Sequence, residues 1–202
     1  MDAEILQRIQ RINAAFGHAC RTDLKRFPAK ILRSQKGTLM MQDFSGGASD
    51  AELANVLQSV IHNLASFCDY LRNWAEPRGI SRTSIYNYLS RSPDFCIIMD
   101  LYNRDKHGPP NGRRGWSRRS PELGRARGVL QMKTQPKKGS TVCMTAGLRG
   151  EPIISGDGSA HVVVTAEVLD KNGNGIGDVD KYVRGALRFC EGALRDFNVC
   201  GR

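Results

Sequence analysis

Leu53, Leu57, Val60, Leu64, Phe67, Leu71 and Trp74 follow one another at steps of three and four residues. That period commits the stretch to an amphipathic helix with one face in a core. Its start is written just upstream. In Ser49-Asp50-Ala51-Glu52, Ser49 and Glu52 can satisfy free backbone donors of the first turn reciprocally, as a capping box. Pro77 and Gly79 end the run. A second long helix follows, with Ser92 as cap, Pro93 at the first helical position and Asp94 as an early acid. Phe95, Ile98, Met99 and Tyr102 make its buried face, and it closes at His107-Gly108 before Pro109-Pro110. With 81–89 as a short, partly helical connection, the spacing predicts an antiparallel helix pair.

The flanks carry weaker signals. Ile5, Ile9, Ile12 and Phe16 recur at helical spacing up to Gly17, and helical character resumes over 23–27 before Pro28. We therefore expect an N-terminal helical segment over 2–36. The stretch 37–48, with Gly46-Gly47, reads as a connector. Residues 108–128 are rich in Gly, Pro, Arg and Ser around a single Trp116, and read as an exposed basic loop. The period then changes, predicting strands over 129–134, 141–145 and 161–169. Between them lie Pro136-Lys137-Lys138-Gly139 and the turn Gly156-Asp157-Gly158. A last helix over 178–197 places Val179, Val183, Leu187, Cys190, Leu194 and Phe197 on one side.

The fold expected is α+β and mainly α: an antiparallel helical bundle with a small antiparallel β-sheet inserted before the C-terminal helix. A chain of 202 residues fits one domain with an elaboration or two small ones. The layout favours a single domain over 1–202. Its bundle core is 49–107 and 178–197, and the basic loop and β insertion occupy 108–177.

Charge is where function enters. Between Arg104 and Lys138 the chain carries eleven Lys or Arg against Asp105 and Glu122, an excess of nine in a protein whose net charge is +10. A charge so localised acts as a field at a site, and a polyanion is the first partner to consider. No apolar run approaches the ~20 residues that span a bilayer, and residues 1–5 lack the basic start of a signal peptide. The cytoplasm is the expected compartment. The six cysteines (20, 68, 96, 143, 190 and 200) contain no Cys-x-x-Cys pair. Neither a disulfide framework nor a zinc site is expected, and Cys68, Cys96, Cys143 and Cys190 read as small buried thiols.

At ~100° per residue, Asp100, Asn103, Arg104 and His107 share one side of their helix. Asn103, one turn before His107, is placed to hold its ring, and Asp100 is placed to pair with Arg104. The helix C-terminus favours a protonated His107. An imidazole among cations suits acid–base work on a phosphodiester, and equally suits plain phosphate contact or a helix cap. His62 and Asn63 either face His107 across the pair or form a buried polar contact. Arg104, Lys106, Arg113, Arg114, Arg118, Arg119, Arg125, Arg127, Lys137 and Lys138 are candidate backbone contacts, with Trp116 a stacking platform or a ring tucked onto the body.

Asn103-Arg104-Asp105-Lys106-His107-Gly108, reached from the helix begun at Ser92-Pro93, resembles the Asn-x-x-Lys-His ending of the HEPN-like superfamily of bacterial helical domains. The resemblance covers roughly 49–107 with the terminal helix, and leaves the basic loop and strands outside the common core. It implies a metal-independent endoribonuclease or an RNA-binding module, often of a toxin or defence system, with sites formed where two domains pair as a dimer. His107 maps onto the motif histidine and Asn103 onto a related polar position. The family's motif arginine, five to seven positions earlier, is replaced here by Tyr102, Leu101 and Asp100. The alternative is a non-catalytic module that dimerises and docks an acidic protein or RNA through its basic loop. No cofactor and no metal are expected. Asp170-Lys171-Asn172-Gly173-Asn174-Gly175 begins like a calcium loop, yet Lys181 stands where its last glutamate belongs. A tight turn leading to a cap at Asp178 is the favoured reading.

Overall fold

The computed structural model describes residues 2–34, 37–109, 115–148 and 150–198. Helix α1 (Asp2–Ala19) runs into β1 (Cys20–Arg21), and a 3-10 turn (Leu24–Arg26) leads to β2 (Ala29–Ser34) and β3 (Gly37–Gln42). Helix α2 (Asp50–Ala75), a 3-10 turn (Glu76–Arg78), α3 (Arg82–Leu89) and α4 (Pro93–His107) follow. Then come β4 (Glu122–Leu123), β5 (Arg127–Lys133), β6 (Val142–Ala146), β7 (Pro152–Gly156), β8 (Ser159–Thr165), β9 (Glu167–Leu169), β10 (Gly175–Asp178) and the closing α5 (Val179–Asp196). The mixed, mainly helical class expected from the sequence is the one found.

The capping box forms as written. Ser49 Oγ accepts from the Glu52 amide at 3.3 Å, and Glu52 Oε2 accepts from the Ser49 amide at 2.8 Å. The whole stripe from Leu53 to Trp74 is buried, and α2 packs against α1, α4 and α5. Burying each such side chain contributes roughly 1.5–3 kcal/mol, which is what holds a 26-residue helix in place. One core cluster joins α1 through α5 with Val164, Ala166 and Val168 of β8, β9 and the residue between them. A smaller cluster of Leu24, Phe27 and Val162 lies beneath Phe44, Leu130 and Ile154.

Three expectations are corrected. The N-terminal segment is helical only to Ala19 with one 3-10 turn, because 29–34 is strand. The supposed connector contains β3, paired antiparallel with β2 from Ala29↔Gln42 to Ser34↔Gly37. The β structure is also not wholly an insertion: β1 pairs with β8, which pairs in turn with β5, so residues from both sides of the helix pair build one sheet. Asp180 ties that sheet to α5, accepting from Gln131 Nε2 at 3.0 Å and Thr165 Oγ1 at 3.3 Å. Among the described residues no helix is long and apolar enough to cross a membrane.

Candidate functional site

Helix α4 carries its polar end out of the core. Ser92 Oγ accepts from the Phe95 amide at 3.2 Å, and residues 95–101 are buried without a break. Beyond them the last turns emerge: Tyr102, Asn103 and Arg104 are half-buried, while Asp105, Lys106 and His107 are exposed. Gly108 stops the helix at φ +78°, a conformation that suits a residue without Cβ, with its amide bonded to the Arg104 carbonyl at 2.8 Å.

The contact that organises this end comes from α2. His62 Nε2 meets Asp105 Oδ2 at 2.8 Å, and the His62 ring stands edge-on to Tyr102, with centroids 4.9 Å apart. The Lys106 ammonium lies 5.6 Å from the centre of the same tyrosine ring. With 44% and 39% of the two side chains exposed, the His62–Asp105 pair contributes on the order of 0–1 kcal/mol to stability. Its consequence is chemical. In the neutral tautomer that carries its proton on Nε2, the ring donates to the Asp105 carboxylate and Nδ1 holds the lone pair. The His62 ring is thereby held at the exposed end of α4 by Asp105, which stands two residues before His107.

Two pairings expected within α4 are not made. Asp100 does not meet Arg104. It is buried at 6% exposure and accepts from the amides of Trp116 and Ser117, both at 2.7 Å, and from Ser117 Oγ at 2.6 Å. A buried carboxylate needs several donors, and the returning chain supplies them. Gly115 belongs to this arrangement, since a Cβ there would collide with the Asp100 carboxylate. Arg104 turns instead to Glu122 in β4. Nor does Asn103 hold His107: among the described residues neither side chain makes a hydrogen bond.

The basic residues divide likewise. Arg125 pairs with Asp50 at 2.9 Å, Arg127 with Asp178 at 3.7 Å and Lys137 with Asp157 at 2.7 Å. Three carboxylates from outside the basic segment thus meet it. Arg118, Arg119, Lys133 and Lys138 are exposed and have no ion-pair partner among the described residues. Arg113 and Arg114 lie outside the described residues. Trp116 is tucked onto the body, with ring centroids 4.5 Å from Tyr86 and 6.2 Å from Phe95. It is not a free-standing platform.

Asp157 shows how the strand region is ordered. Lys137, Ser140 Oγ and the Thr141 amide all donate to it, pushing its carboxyl down to about 2. Asp170 accepts from the amides of Asn174 and Asn172, which lowers its carboxyl and shapes a turn between β9 and β10. Among the described residues no three His, Cys, Asp or Glu side chains are grouped to share an ion. Cys20, Cys68, Cys96, Cys143 and Cys190 are free thiols. Burial pushes Cys68 up to about 11, whereas Cys143 is exposed, contrary to expectation. The sequence singles out His62 as facing His107 or in a buried polar contact; its ring meets Asp105 instead, with 44% of the side chain exposed. The one available signal for that pair was a histidine beside the apolar stripe of α2, the helix expected to pair with α4.

Compared with known proteins, the chain matches no family model, no curated protein and no solved structure.

Proposed function

We propose that the chain is a HEPN-like RNA-interacting protein that engages the RNA backbone at the polar end of α4, and that it acts there as a metal-independent endoribonuclease. The observation that carries this reading is the imidazole of His62 held by Asp105, on the same exposed helix end as Lys106 and His107. Asp105 and His107 lie about 200° apart around α4, so the two imidazoles that supply the two proton transfers of transesterification meet one phosphodiester only between the facing ends of two copies. His62 Nδ1 takes the proton of the ribose 2′-hydroxyl as its oxygen attacks phosphorus. His107 protonates the departing 5′-oxygen, giving a 2′,3′-cyclic phosphate and a free 5′-hydroxyl. Lys106 offsets charge on the phosphoryl oxygens. Arg118, Arg119 and Lys138 extend the contact along the strand. The resemblance adds a homodimer in which two such ends face each other, and the free thiols fit a cytoplasmic setting.

A second reading is a non-catalytic module that docks RNA or an acidic protein. It is favoured by one observation: Arg104, the arginine nearest His107, is tied to Glu122. Incubating RNA with the protein in EDTA separates the two. The first reading expects cyclic-phosphate ends and a loss of about 100-fold or more in rate for both His62→Gln and His107→Ala. Salt-sensitive binding without products leaves the docking module. Undiminished cleavage by both variants removes the imidazoles from the chemistry.

A further inference from the structure

Away from the end of α4, the last turns of α2 and the first turns of α3 flank an open cleft of about 620 Å³. Asp69, Arg72 and Asn73 line one side, and Arg82, Thr83 and Tyr86 the other. Two guanidinium groups, an amide and two hydroxyls thus line the cleft with one carboxylate, and a second, Glu76, pairs with Arg82 beside it. The lining carboxylate belongs to Asp69, whose side chain is 67% exposed, and it engages only Nη1 of Arg72, at 3.3 Å. The Arg72 side chain is more enclosed, and its Nε is buried without an acceptor among the described residues. Arg82 reaches Glu76 at 2.7 Å from a largely exposed position. The Tyr86 ring packs against Trp116, which contacts Phe95 of the core in turn. A cleft with convergent donors and one packed aromatic ring is built for a small anion that carries a planar group.

We infer that this cleft binds an aryl phosphomonoester, with the phosphate on Arg72 and Arg82 and the ring against Tyr86. Guanidinium forks match phosphate oxygens in pairs, and Asn73 and Thr83 add neutral donors. Asp69 competes with the phosphate for Arg72. The inference stands on the cleft and does not depend on the reading of the α4 end.

Calorimetric titration of the full chain with phenyl phosphate and with inorganic phosphate tests it. Phenyl phosphate should bind at a single site and more tightly than inorganic phosphate. Arg72→Gln, and the exposed and fold-neutral Arg82→Gln, should each weaken both probes by about tenfold or more, as loss of a charge-assisted bond does. Tyr86→Ala should abolish the difference between the probes, and Asp69→Asn should tighten both. His62→Gln should leave both unchanged, which separates this site from the proposed RNA contact. Absence of saturable phenyl phosphate binding, survival of binding in both arginine variants, or its loss in His62→Gln would overturn the inference.

Discussion

In the α2–α4 pair, burial follows the sequence period residue by residue, whereas between Gly115 and Asp157 single carboxylates decide much of where the chain lies. Leu64, Phe67, Leu71, Phe95 and Ile98 are fully enclosed because their spacing puts them on facing stripes. The segment after α4 has few such stripes. It is moored by Asp100 on the Trp116 and Ser117 amides, and farther on by Asp157 on Ser140, Thr141 and Lys137. Apolar packing is spread over many weak contacts and tolerates local change. A carboxylate anchor concentrates the same task in one residue, so its loss is felt at one place. The difference also governs charge. Four of the basic residues of the segment are occupied by carboxylates, and the positive surface that remains is narrower than the composition implies.

The contrast can be broken first in the bundle. Phe95→Ala removes a fully buried ring shared by the core and Trp116, and should cost about 3–5 kcal/mol in denaturant unfolding. A cost under about 1 kcal/mol, the range of surface substitutions, would show that α4 is not held by packing. Asp100→Ala comes next. It strands the amides of Trp116 and Ser117 and should cost about 2–3 kcal/mol, with a shift in Trp116 fluorescence and faster proteolysis near 115–119. Unchanged proteolysis there would mean the carboxylate is not the anchor.

The smallest effect is a pH dependence at Asp157. Its folded carboxyl is depressed to about 2 from an ordinary 3.8, so its contribution is fully present above about pH 4. It is lost as pH falls through about 2. Amide shifts of Thr141 and Ser140 should therefore titrate in that acid window, and a midpoint near 4 would contradict the network.

Much of the fold was legible because helices announce their caps and stripes locally. Ser49-Glu52, Ser92-Pro93 and the stops at Gly79 and Gly108 all lie within a few residues of what they control. The β2–β3 hairpin was not. Its second strand, Gly-Thr-Leu-Met-Met-Gln, lacks clean alternation, and only the partner strand makes it a strand. The site was legible in part. The exposed end at His107 follows from Gly108 and Pro109, but the register of α2 on α4 is a tertiary property, so nothing local reveals that His62 meets Asp105. The Asp100–Arg104 pair was inferred from i,i+4 spacing alone. Burial of Asp100 overrode it, since a carboxylate in the core takes the donors nearest to hand.

The proposed contact puts RNA at the polar end of α4. It is tested most directly by following imidazole nitrogen and carbon-bound proton resonances during titration with a short RNA blocked by 2′-O-methylation, which binds but cannot be cleaved. His62 and His107 should shift together and saturably, while His161 on β8 stays still. Saturable RNA binding that leaves both His62 and His107 unmoved would contradict it.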